Sequence, residues 1–285
     1  MSGTLYLCAT PIGNLEDITL RVIRVLSQVD LIAAEDTRNS LKLLNHLEIK
    51  KPLTSYHEHN KYDKAKVLVE RLLAGEDIAL ISDAGTPGIS DPGEELVKLC
   101  QGAKVQVTAL PGPCAAVTAL SLAGLPSRRF AFEGFLPTGK KEKRLLLESL
   151  KEESRTIIFY EAPHRLLKTL ISLEEALGNR PVSICKELTK RFENVLCMEL
   201  KEAIAYYEKQ SPKGEYVLIV QGRDEEELEE EKQAHWQGFT IEAHMDTYLK
   251  QGLEKKEAMR QVAKDRGVSK RDIYSLLLRN TQEEI

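Results

Sequence analysis

The sequence predicts an α/β fold with two α/β domains and a small helical appendage at the C-terminus. Short β-rich runs alternate with amphipathic stretches up to about residue 222, which is typical of strands joined by helices. An acidic block then interrupts this pattern, and only helical periodicity continues beyond it. We therefore expect domains at residues 1–120 and 121–224, and an acidic linker with a helix-turn-helix-like tail at residues 225–285.

The first domain is expected to contain a largely parallel sheet, because its strands alternate with helices. Its predicted strands span residues 4–10, 31–34, 78–82 and 105–110, and its predicted helices span residues 20–29 and 67–74. A second set of strands is predicted at residues 130–135, 156–160, 182–185, 195–200 and 216–221, with helices at residues 143–152 and 166–177. The boundary between the two domains is placed near residue 120.

The C-terminal segment differs in composition from the rest of the chain. Residues 223–232 are almost entirely charged, and a block of like charges usually marks a solvated helix or a linker. Residues 241–280 then show helical periodicity on both sides of Gly267. Ser269 is a candidate N-cap with Asp272 three positions later, and two helices joined by a glycine turn resemble a helix-turn-helix.

Composition limits the class of protein. The chain has 285 residues, 42% of them hydrophobic, enough for at least one full core. It lacks an apolar run long enough to span a membrane and a signal-peptide pattern, so we expect a cytoplasmic protein that is not bound to membranes.

Its five cysteines form no C-x-x-C pair or Cys/His cluster, so we expect reduced thiols and no metal site. The net charge of −4 means that nucleic-acid contacts must be local.

Three Gly/Pro-rich loops each follow a predicted strand, at residues 10–14, 82–93 and 110–116. The carboxyl ends of parallel strands form the ligand crevice of an open sheet, so these loops predict one shared pocket. The alternative is that each is an ordinary strand-to-helix turn. The chain contains neither a G-x-x-x-x-G-K-[ST] motif nor a G-x-G-x-x-G motif at the first helix, which disfavours a P-loop NTPase or an ordinary dinucleotide enzyme.

At these loops the sequence resembles the tetrapyrrole-methylase-like superfamily, and within it the bacterial 16S ribosomal RNA cytidine 2′-O-methyltransferases. The resemblance covers nearly the whole chain. Its matching segments are residues 9–15, 34–38, 82–93, 110–115, 132–137, 160–165, 186–190, 192–193 and 214–217. One departure is Cys114, where the family pattern has serine, and this near-isosteric change should not remove a site formed by the backbone.

The resemblance implies a dimeric enzyme that binds S-adenosylmethionine in the cleft between two α/β domains. It also implies that the substrate is a cytidine ribose in the 16S rRNA of the small ribosomal subunit. Carried over by position, the cofactor contacts would be Pro11, Ala84, Gly85, Thr86, Ile89, Cys114, Ala115, Tyr160, Glu161 and Leu188.

Methyl transfer to a ribose hydroxyl requires alignment of the oxygen with the methyl group and benefits from a general base or a nearby cation. Lys186 and Glu187 follow a predicted strand and are the first candidates. Glu35 follows another strand, and His57 offers a neutral imidazole at pH 7. Each has a structural alternative: an interdomain salt bridge for the first pair, a capping cluster at a helix start for Glu35, and a loop histidine for His57.

RNA contacts are expected from local basic residues. Arg38 could hold a phosphate or ribose, and Arg165 is either a phosphate ligand or a helix-start residue. Lys270 and Arg271 in the tail would bind phosphates in a salt-dependent manner. Two other functions remain open at this stage: methylation of a tetrapyrrole-like small molecule, which leaves the basic tail unexplained, and a nonenzymatic regulator whose tail binds DNA, which leaves the clustered loops unexplained.

Overall fold

The computed structural model describes the backbone of residues 2–283, and their side chains except those of residues 229, 231–233, 235, 237 and 278–283. It contains two compact units. The first unit comprises the chain up to Glu148 together with Thr156–Gln221, and the second comprises Ser149–Arg155 together with the chain from Gly222 onwards. All ten strands of the described chain lie in the first unit.

The N-terminal half of the first unit is a parallel sheet flanked by helices. Its strands are β1 (Thr4–Cys8), β2 (Leu31–Ala34), β3 (Leu53–Ser55), β4 (Ile78–Ile81) and β5 (Gln106–Leu110), in the order β3-β2-β4-β1-β5. The helices that connect and follow them are α1 (Leu20–Gln28), α2 (Thr37–His46), α3 (Lys61–Leu73), α4 (Gly93–Gly102) and α5 (Ala115–Leu122). Every strand pair in this sheet is parallel, which confirms the prediction.

Alternation along β1 explains why both faces of this sheet are covered. Leu5 joins a core formed with α3 and α4, whereas Cys8 joins a second core formed with α1 and α2. Successive side chains of a strand point to opposite faces, and a parallel sheet buries both. All four residues of β2 and of β4 are buried, so the carboxyl ends of these strands are held in fixed positions.

Side-chain caps start two of these helices where strand or loop gives way to helix. The hydroxyl of Thr19 accepts from the amide of Val22 at 3.2 Å at the start of α1. The carboxylate of Asp36 accepts from the amide of Arg38 at 2.8 Å at the start of α2. Such caps satisfy amides that have no partner inside the helix. The cap by Asp36 fixes the chain one residue beyond Glu35.

The second half of the first unit is a mixed sheet. Its strands are β6 (Phe130–Phe135), β7 (Thr156–Glu161), β8 (Pro181–Lys186), β9 (Asn194–Glu199) and β10 (Tyr216–Val220), in the order β6-β7-β10-β8-β9. Its helices are α6 (Lys140–Ser149), α7 (Leu166–Leu177) and α8 (Leu200–Lys209). Only β6 and β7 pair in parallel, and β10 runs antiparallel to both β7 and β8.

Helix α5 connects the two sheets. It leaves the first sheet after β5, but its buried residues Ala116, Ala119 and Leu120 pack in one cluster with Ile158 and Ile219 of the second sheet. The predicted domain boundary near residue 120 falls within this helix. Because both sheets belong to one compact unit, that boundary stays a prediction.

The second unit contains α9 (Glu225–Gln237), α10 (Ile241–Lys250), α11 (Lys255–Asp265) and α12 (Lys270–Glu283). Met245, Ala258, Val262 and Ile273 form the core of the last three helices. The predicted turn is present: Gly267 adopts a φ of 63°, the left-handed conformation that glycine adopts without strain.

The start of α12 has the predicted capping residues. The hydroxyl of Ser269 accepts from the amide of Asp272 at 3.2 Å, and the Asp272 carboxylate accepts from the amide of Ser269 at 3.0 Å. This reciprocal pair is the geometry of a capping box. No helix within residues 2–283 has the length and apolar composition needed to cross a membrane.

Candidate active site

A cavity of about 630 Å³ opens where the loops of the first sheet meet the second sheet. One wall consists of the segments that follow β2, β4 and β5, and the other consists of the ends of β7, β8 and β10 with the residues just beyond them. This volume lies within the range of small-molecule sites. The shared pocket predicted from the three Gly/Pro-rich loops is therefore present, with Ile12 contributing from the first of them.

Backbone hydrogen bonds join the first two loops. The amide of Thr10 donates to the carbonyl of Gly85 at 2.9 Å, and the amide of Gly85 donates to the carbonyl of Thr10 at 3.0 Å. Gly85 has a φ of 83°, which an ordinary L residue adopts only with strain. The residues of this bridge thus hold the loop after β1 against the loop after β4.

The loop after β4 is also tied to the loop after β5 and closed upon itself. The hydroxyl of Thr86 donates to the carbonyl of Pro113 at 2.9 Å. The carboxylate of Asp91 accepts from the amides of Gly88 and Gly93 at 2.9 and 2.7 Å. All three loops are therefore fixed relative to one another by hydrogen bonds within the chain.

Tyr160 anchors the opposite wall. Its hydroxyl accepts a hydrogen bond from the amide of Ala116, in the first turn of α5, at 3.2 Å. Burial, with a smaller effect of Cys114, raises the pKa of Tyr160 to about 12, so the phenol stays protonated at neutral pH. Its ring makes edge contacts with Phe132 and Phe135, at centroid distances of 5.0 and 5.8 Å. The aromatic cluster gives this wall a fixed apolar surface.

Glu161 lies at the end of β7 with a fully buried side chain. Its carboxylate accepts from the hydroxyl of Thr169 at 2.5 Å and from the amide of Ala162 at 2.8 Å. Arg165 places its Nε 3.3 Å from the same carboxylate and donates a second bond to the carbonyl of Leu136. These contacts connect β7, α7 and the segment after β6. Although Glu161 lines the cavity, its carboxylate is occupied by internal partners.

The structure brings the predicted cofactor-binding residues together around this cavity. Those that line it are Ala84, Gly85, Thr86, Ile89, Cys114, Ala115, Tyr160, Glu161 and Leu188. Pro11 is not among the lining residues, although its neighbour Ile12 is. Their role as cofactor ligands stays a prediction.

Of the four candidate catalytic residues, Glu35 lines the cavity. It follows the last residue of β2 and is partly buried. Burial raises the pKa of Glu35 most, and the negative charges of Asp83 and Asp91 raise it further, whereas the backbone of Asp83 and the side chain of His57 lower it. A carboxyl in this environment binds a proton more strongly than a solvated one.

His57 follows β3 and does not belong to the cavity lining. Its backbone amide donates to the side chain of Asn60 at 2.9 Å, so it lies in the loop before α3, as its structural alternative predicted. Its Nδ1 is buried and has no hydrogen-bond partner among the described residues. Burying a polar atom without a hydrogen-bond partner costs free energy, and such atoms are rare in folded proteins.

Lys186 and Glu187 do not line the cavity. The carboxylate of Glu187 accepts from Lys190 Nζ and from the amide of Glu215, both at 2.9 Å. Burial works to raise the pKa of Glu187, but these hydrogen bonds and the charges of Lys190 and Lys186 together hold it below its ordinary value. Glu187 thus forms a local ion pair with Lys190, three residues further along the chain, and not the interdomain salt bridge that was its structural alternative. Its φ of 51° turns the chain at this point.

The predicted RNA-binding residues are in different environments. Arg38 is 88% exposed and pairs with Asp36 at 2.9 Å, and hydrogen bonding to Arg38 holds the pKa of Asp36 at about 2. Arg165 is engaged by Glu161 and Leu136 within the fold, which favours its structural alternative. Lys270 and Arg271 open α12 in the second unit, where Arg271 is exposed.

Several lining residues were not singled out from the sequence. They are Ile12, Ser82, Asp83, Ser90, Asp91, Phe135, Ala162, Pro163, Cys185, Glu215, Tyr216 and Val217. For Asp83 and Asp91 a signal existed, because both lie within the Gly/Pro-rich loop after β4. Phe135 and Glu215 reach the cavity through the arrangement of the second sheet, which sequence periodicity does not reveal. Among residues 2–283, no group of three or more His, Cys, Asp or Glu forms a candidate metal site.

Comparison with known proteins decides the family. Residues 4–204 match the family of tetrapyrrole (corrin/porphyrin) methylases. The chain belongs to this family. The resemblance noted from its motifs is thereby confirmed, as is an α/β fold with C-terminal helices. The match covers both sheets up to β9, so the family assignment includes most residues that line the cavity.

Curated relatives of this methylase share about half of its residues. It is 52% identical over 274 residues to "Ribosomal RNA small subunit methyltransferase I" of Halalkalibacterium halodurans, covering 96% of this chain and 94% of the relative. It is 47% identical over 272 residues to the protein of the same name from Bacillus subtilis, covering 95% and 93%.

Solved structures show the same fold at lower identity. Uroporphyrin-III-C-methyltransferase from Thermus thermophilus has a TM-score of 0.55 and 21% identity, covering 76% of this chain and 94% of that one. Diphthine synthase has a TM-score of 0.60 and 11% identity, covering 77% and 90%. These similarities establish the architecture of the methylase.

Proposed function

We propose that this protein transfers a methyl group from S-adenosylmethionine to the ribose 2′-hydroxyl of a cytidine in 16S rRNA of the small ribosomal subunit. The observation that carries the proposal is the 52% identity, over 96% of the chain, to a protein named as a ribosomal RNA small subunit methyltransferase. The choice of the cytidine 2′-oxygen comes from the motif resemblance. Because such subunits are assembled in the cytoplasm, the proposal places the protein there.

The cavity fits this cofactor in size and in chemistry. Its volume of about 630 Å³ is that of a small-molecule site, and it combines apolar surface from Ile12, Leu188 and Tyr160 with the carboxylates of Asp83 and Glu215. Carboxylates favour a ligand that carries positive charge. We assign cofactor binding to the predicted residues that line the cavity, with Pro11 acting through the loop it shares with Ile12.

The bound cofactor supplies an electrophilic methyl group on a sulfonium. The residues of the chain then have to align the ribose oxygen, exclude water and receive the hydroxyl proton. Tyr160 and Phe135 supply apolar surface that excludes water from one side of the cavity. Glu35, His57, Lys186 and Glu187 remain the candidates for proton transfer.

The decisive experiment compares 16S rRNA from cells with and without this protein by mass spectrometry of nuclease fragments. We expect deletion to remove one ribose methyl group from one cytidine. Purified protein with S-adenosylmethionine should restore that methyl group on small subunits from the deletion strain. If the rRNA of the two strains carried identical methylation, the proposal would be wrong.

We assign RNA contacts to Arg38 in the first unit and to Lys270 and Arg271 in the second. Arg165 is left out because its guanidinium is bound within the fold. A cation at the start of a helix is not favoured by the helix dipole, so the two basic residues that open α12 do not stabilise that helix end. Binding of phosphate groups gives them a function.

Replacing Lys270 and Arg271 together with alanine should weaken binding to small subunits and reduce its salt dependence. Each lost phosphate contact lowers the slope of log K against log salt by roughly 0.7–0.9. The measurement is a filter-binding titration at several salt concentrations. Replacing the exposed Lys66 and Lys209 with alanine is the matched control and should leave the slope unchanged. An unaltered slope in the tail variant would remove both residues from the RNA-binding surface.

We also propose that the protein is a homodimer, as the family resemblance implies. Large apolar side chains remain exposed in the first unit, among them Val117 and Leu122 of α5 and Phe130 of β6. Exposed apolar side chains mark an interface when they form a contiguous patch. Sedimentation equilibrium should give twice the chain mass of 32.1 kDa, and a mass of one chain at assay concentrations would contradict the dimer.

A further inference from the structure

We propose that the carboxylate of Glu35 is the general base that takes the proton of the substrate hydroxyl, and that His57 is a positioning residue that tunes this carboxylate. The inference deepens the proposed function and rests on it. It assigns one of four candidate side chains to proton transfer and gives a role to His57.

The position of Glu35 is fixed at the edge of the cavity. It directly follows β2, whose four residues are all buried. The backbone amide of the next residue, Asp36, donates to the carboxylate of Asp83 at 3.0 Å. This hydrogen bond ties the end of β2 to the loop after β4, which also lines the cavity.

The other carboxylates that line the cavity are engaged by donors of the fold. Glu161 is bound by Ala162, Thr169 and Arg165, and Asp91 closes its own loop through two glycine amides.

Glu215 forms an ion pair with Lys190 at 2.8 Å, and Asp83 accepts the amide of Asp36. Of the four candidates for proton transfer, Glu35 lines the cavity, whereas His57, Lys186 and Glu187 do not. A ligand in the cavity can therefore reach Glu35, the one of these four candidates that lines it.

The electrostatic environment suits a proton acceptor. Burial raises the pKa of Glu35, and the charges of Asp83 and Asp91, from the loop after β4, raise it further. A general base with a pKa closer to the working pH accepts a proton more effectively than a solvated carboxylate. His57 has the opposite effect and lowers the pKa of Glu35. These three side chains are the titratable groups that act on Glu35 from neighbouring elements.

The register of the first sheet explains why His57 acts on Glu35. β2 and β3 run parallel with Ala34 opposite Ser55, and the amide of Tyr56 donates to the carbonyl of Ala34 at 2.8 Å. The next residues of both strands therefore leave the sheet side by side. Nδ1 of His57 is buried without a partner among the described residues, and the ring of His57 lies 6.0 Å from the ring of His59, centroid to centroid.

The Glu35 carboxylate takes the 2′-hydroxyl proton while a lone pair of that oxygen forms the new bond to the methyl carbon. The carbon–sulfur bond breaks, and its electron pair stays on sulfur, which changes from a cationic sulfonium to a neutral thioether. Glu35 ends the step as a neutral acid and returns its proton to solvent before the next turnover.

The first test is the Glu35→Gln variant in full-length protein, assayed on small subunits from the deletion strain. We expect kcat to fall roughly 10²- to 10⁴-fold, the usual contribution of a general base. Calorimetry with S-adenosylhomocysteine should give the wild-type Kd, which shows that the cavity is intact. Replacing the exposed Glu70 of α3 with glutamine is the matched control and should leave kcat unchanged. Wild-type kcat in the Glu35 variant would overturn the assignment.

The second test measures the carboxyl itself, by carbon NMR of glutamate-labelled protein without cofactor. The resonance of Glu35 is the one lost in Glu35→Gln. His57→Gln removes the imidazole that lowers the pKa of Glu35 and should move the titration midpoint of Glu35 to higher pH, whereas Asp83→Asn removes a carboxylate that raises this pKa and should move the midpoint to lower pH. The acidic limb of the kcat profile should shift in the same directions. A midpoint that stays in place in His57→Gln would overturn the role of His57, and the shift expected in Asp83→Asn shows that the measurement detects such an effect.

The two proposals fail in different ways. Wild-type protein that leaves the small subunit unmethylated would overturn the proposed function and the base assignment together. An active Glu35→Gln variant beside active wild-type protein would overturn the base assignment alone.

Discussion

Replacing Glu161 with alanine should lower the free energy of unfolding by about 3 kcal/mol. Its carboxylate is fully buried, and Arg165, which is 25% exposed, is its ionic partner. Removing one member of a buried ion pair costs about 3–5 kcal/mol, and the partial hydration of Arg165 places the expected loss at the lower end. The hydroxyl of Thr169 and the amide of Ala162 also lose their acceptor.

Urea unfolding followed by circular dichroism measures this loss. The matched control is Glu208→Ala, because Glu208 is an exposed glutamate near the end of α8, and it should change stability by less than about 0.5 kcal/mol. A Glu161→Gln variant should lie between the two, since the amide keeps an acceptor oxygen but not the charge. Equal stability of the two alanine variants would show that the Glu161 network does not stabilise the fold.

Gly13→Ala should impair both stability and cofactor binding. A Cβ at this position would lie 2.4 Å from Cγ of Lys190, 2.8 Å from Oγ1 of Thr189 and 3.0 Å from the carbonyl of Leu188. Relieving such contacts moves the loop after β1 away from the segment after β8. Overpacking costs about 1–3 kcal/mol. Because the neighbouring Ile12 and Leu188 both line the cavity, we expect the Kd for S-adenosylmethionine to rise by about tenfold, or 1.4 kcal/mol.

Calorimetry gives the affinity and thermal unfolding gives the stability. Gly102→Ala is the control, since a Cβ there meets no atom within 4 Å at the end of α4, and it should leave the Kd unchanged. A Gly13→Ala protein that binds the cofactor as tightly as wild type would mean that the two loops separate without disturbing the cavity.

Much of the fold follows from local sequence patterns. Strands such as Leu31–Ala34 and Phe130–Phe135 have the predicted bounds, because a buried strand needs several consecutive β-formers. The strand Leu53–Ser55 was not predicted, since three residues after a proline give no periodicity. The direction of the strands in the second sheet could not be predicted either, because periodicity describes the faces of a strand and not its neighbours.

The site was predictable where the chain is locally constrained. Gly85 and Thr86 lie in a loop whose glycines and prolines follow a strand, and parallel topology brings such loops together. For Glu187, proximity to the end of β8 does not reveal the turn that directs its carboxylate to Lys190. The environment of Glu35 depends on charges brought in from another loop, so the sequence alone placed it after Lys186 and Glu187.

The strand order of the second sheet has a consequence for synthesis of the protein. Its central strand, β10, lies between β7 and β8 but is the last of the five in the chain. While the nascent chain is still emerging, both neighbours expose unpaired edges, and such edges invite pairing with other chains. Translation at about 5–20 residues per second makes this interval a matter of seconds. During it, the parallel sheet, which is complete by Leu110, can already fold.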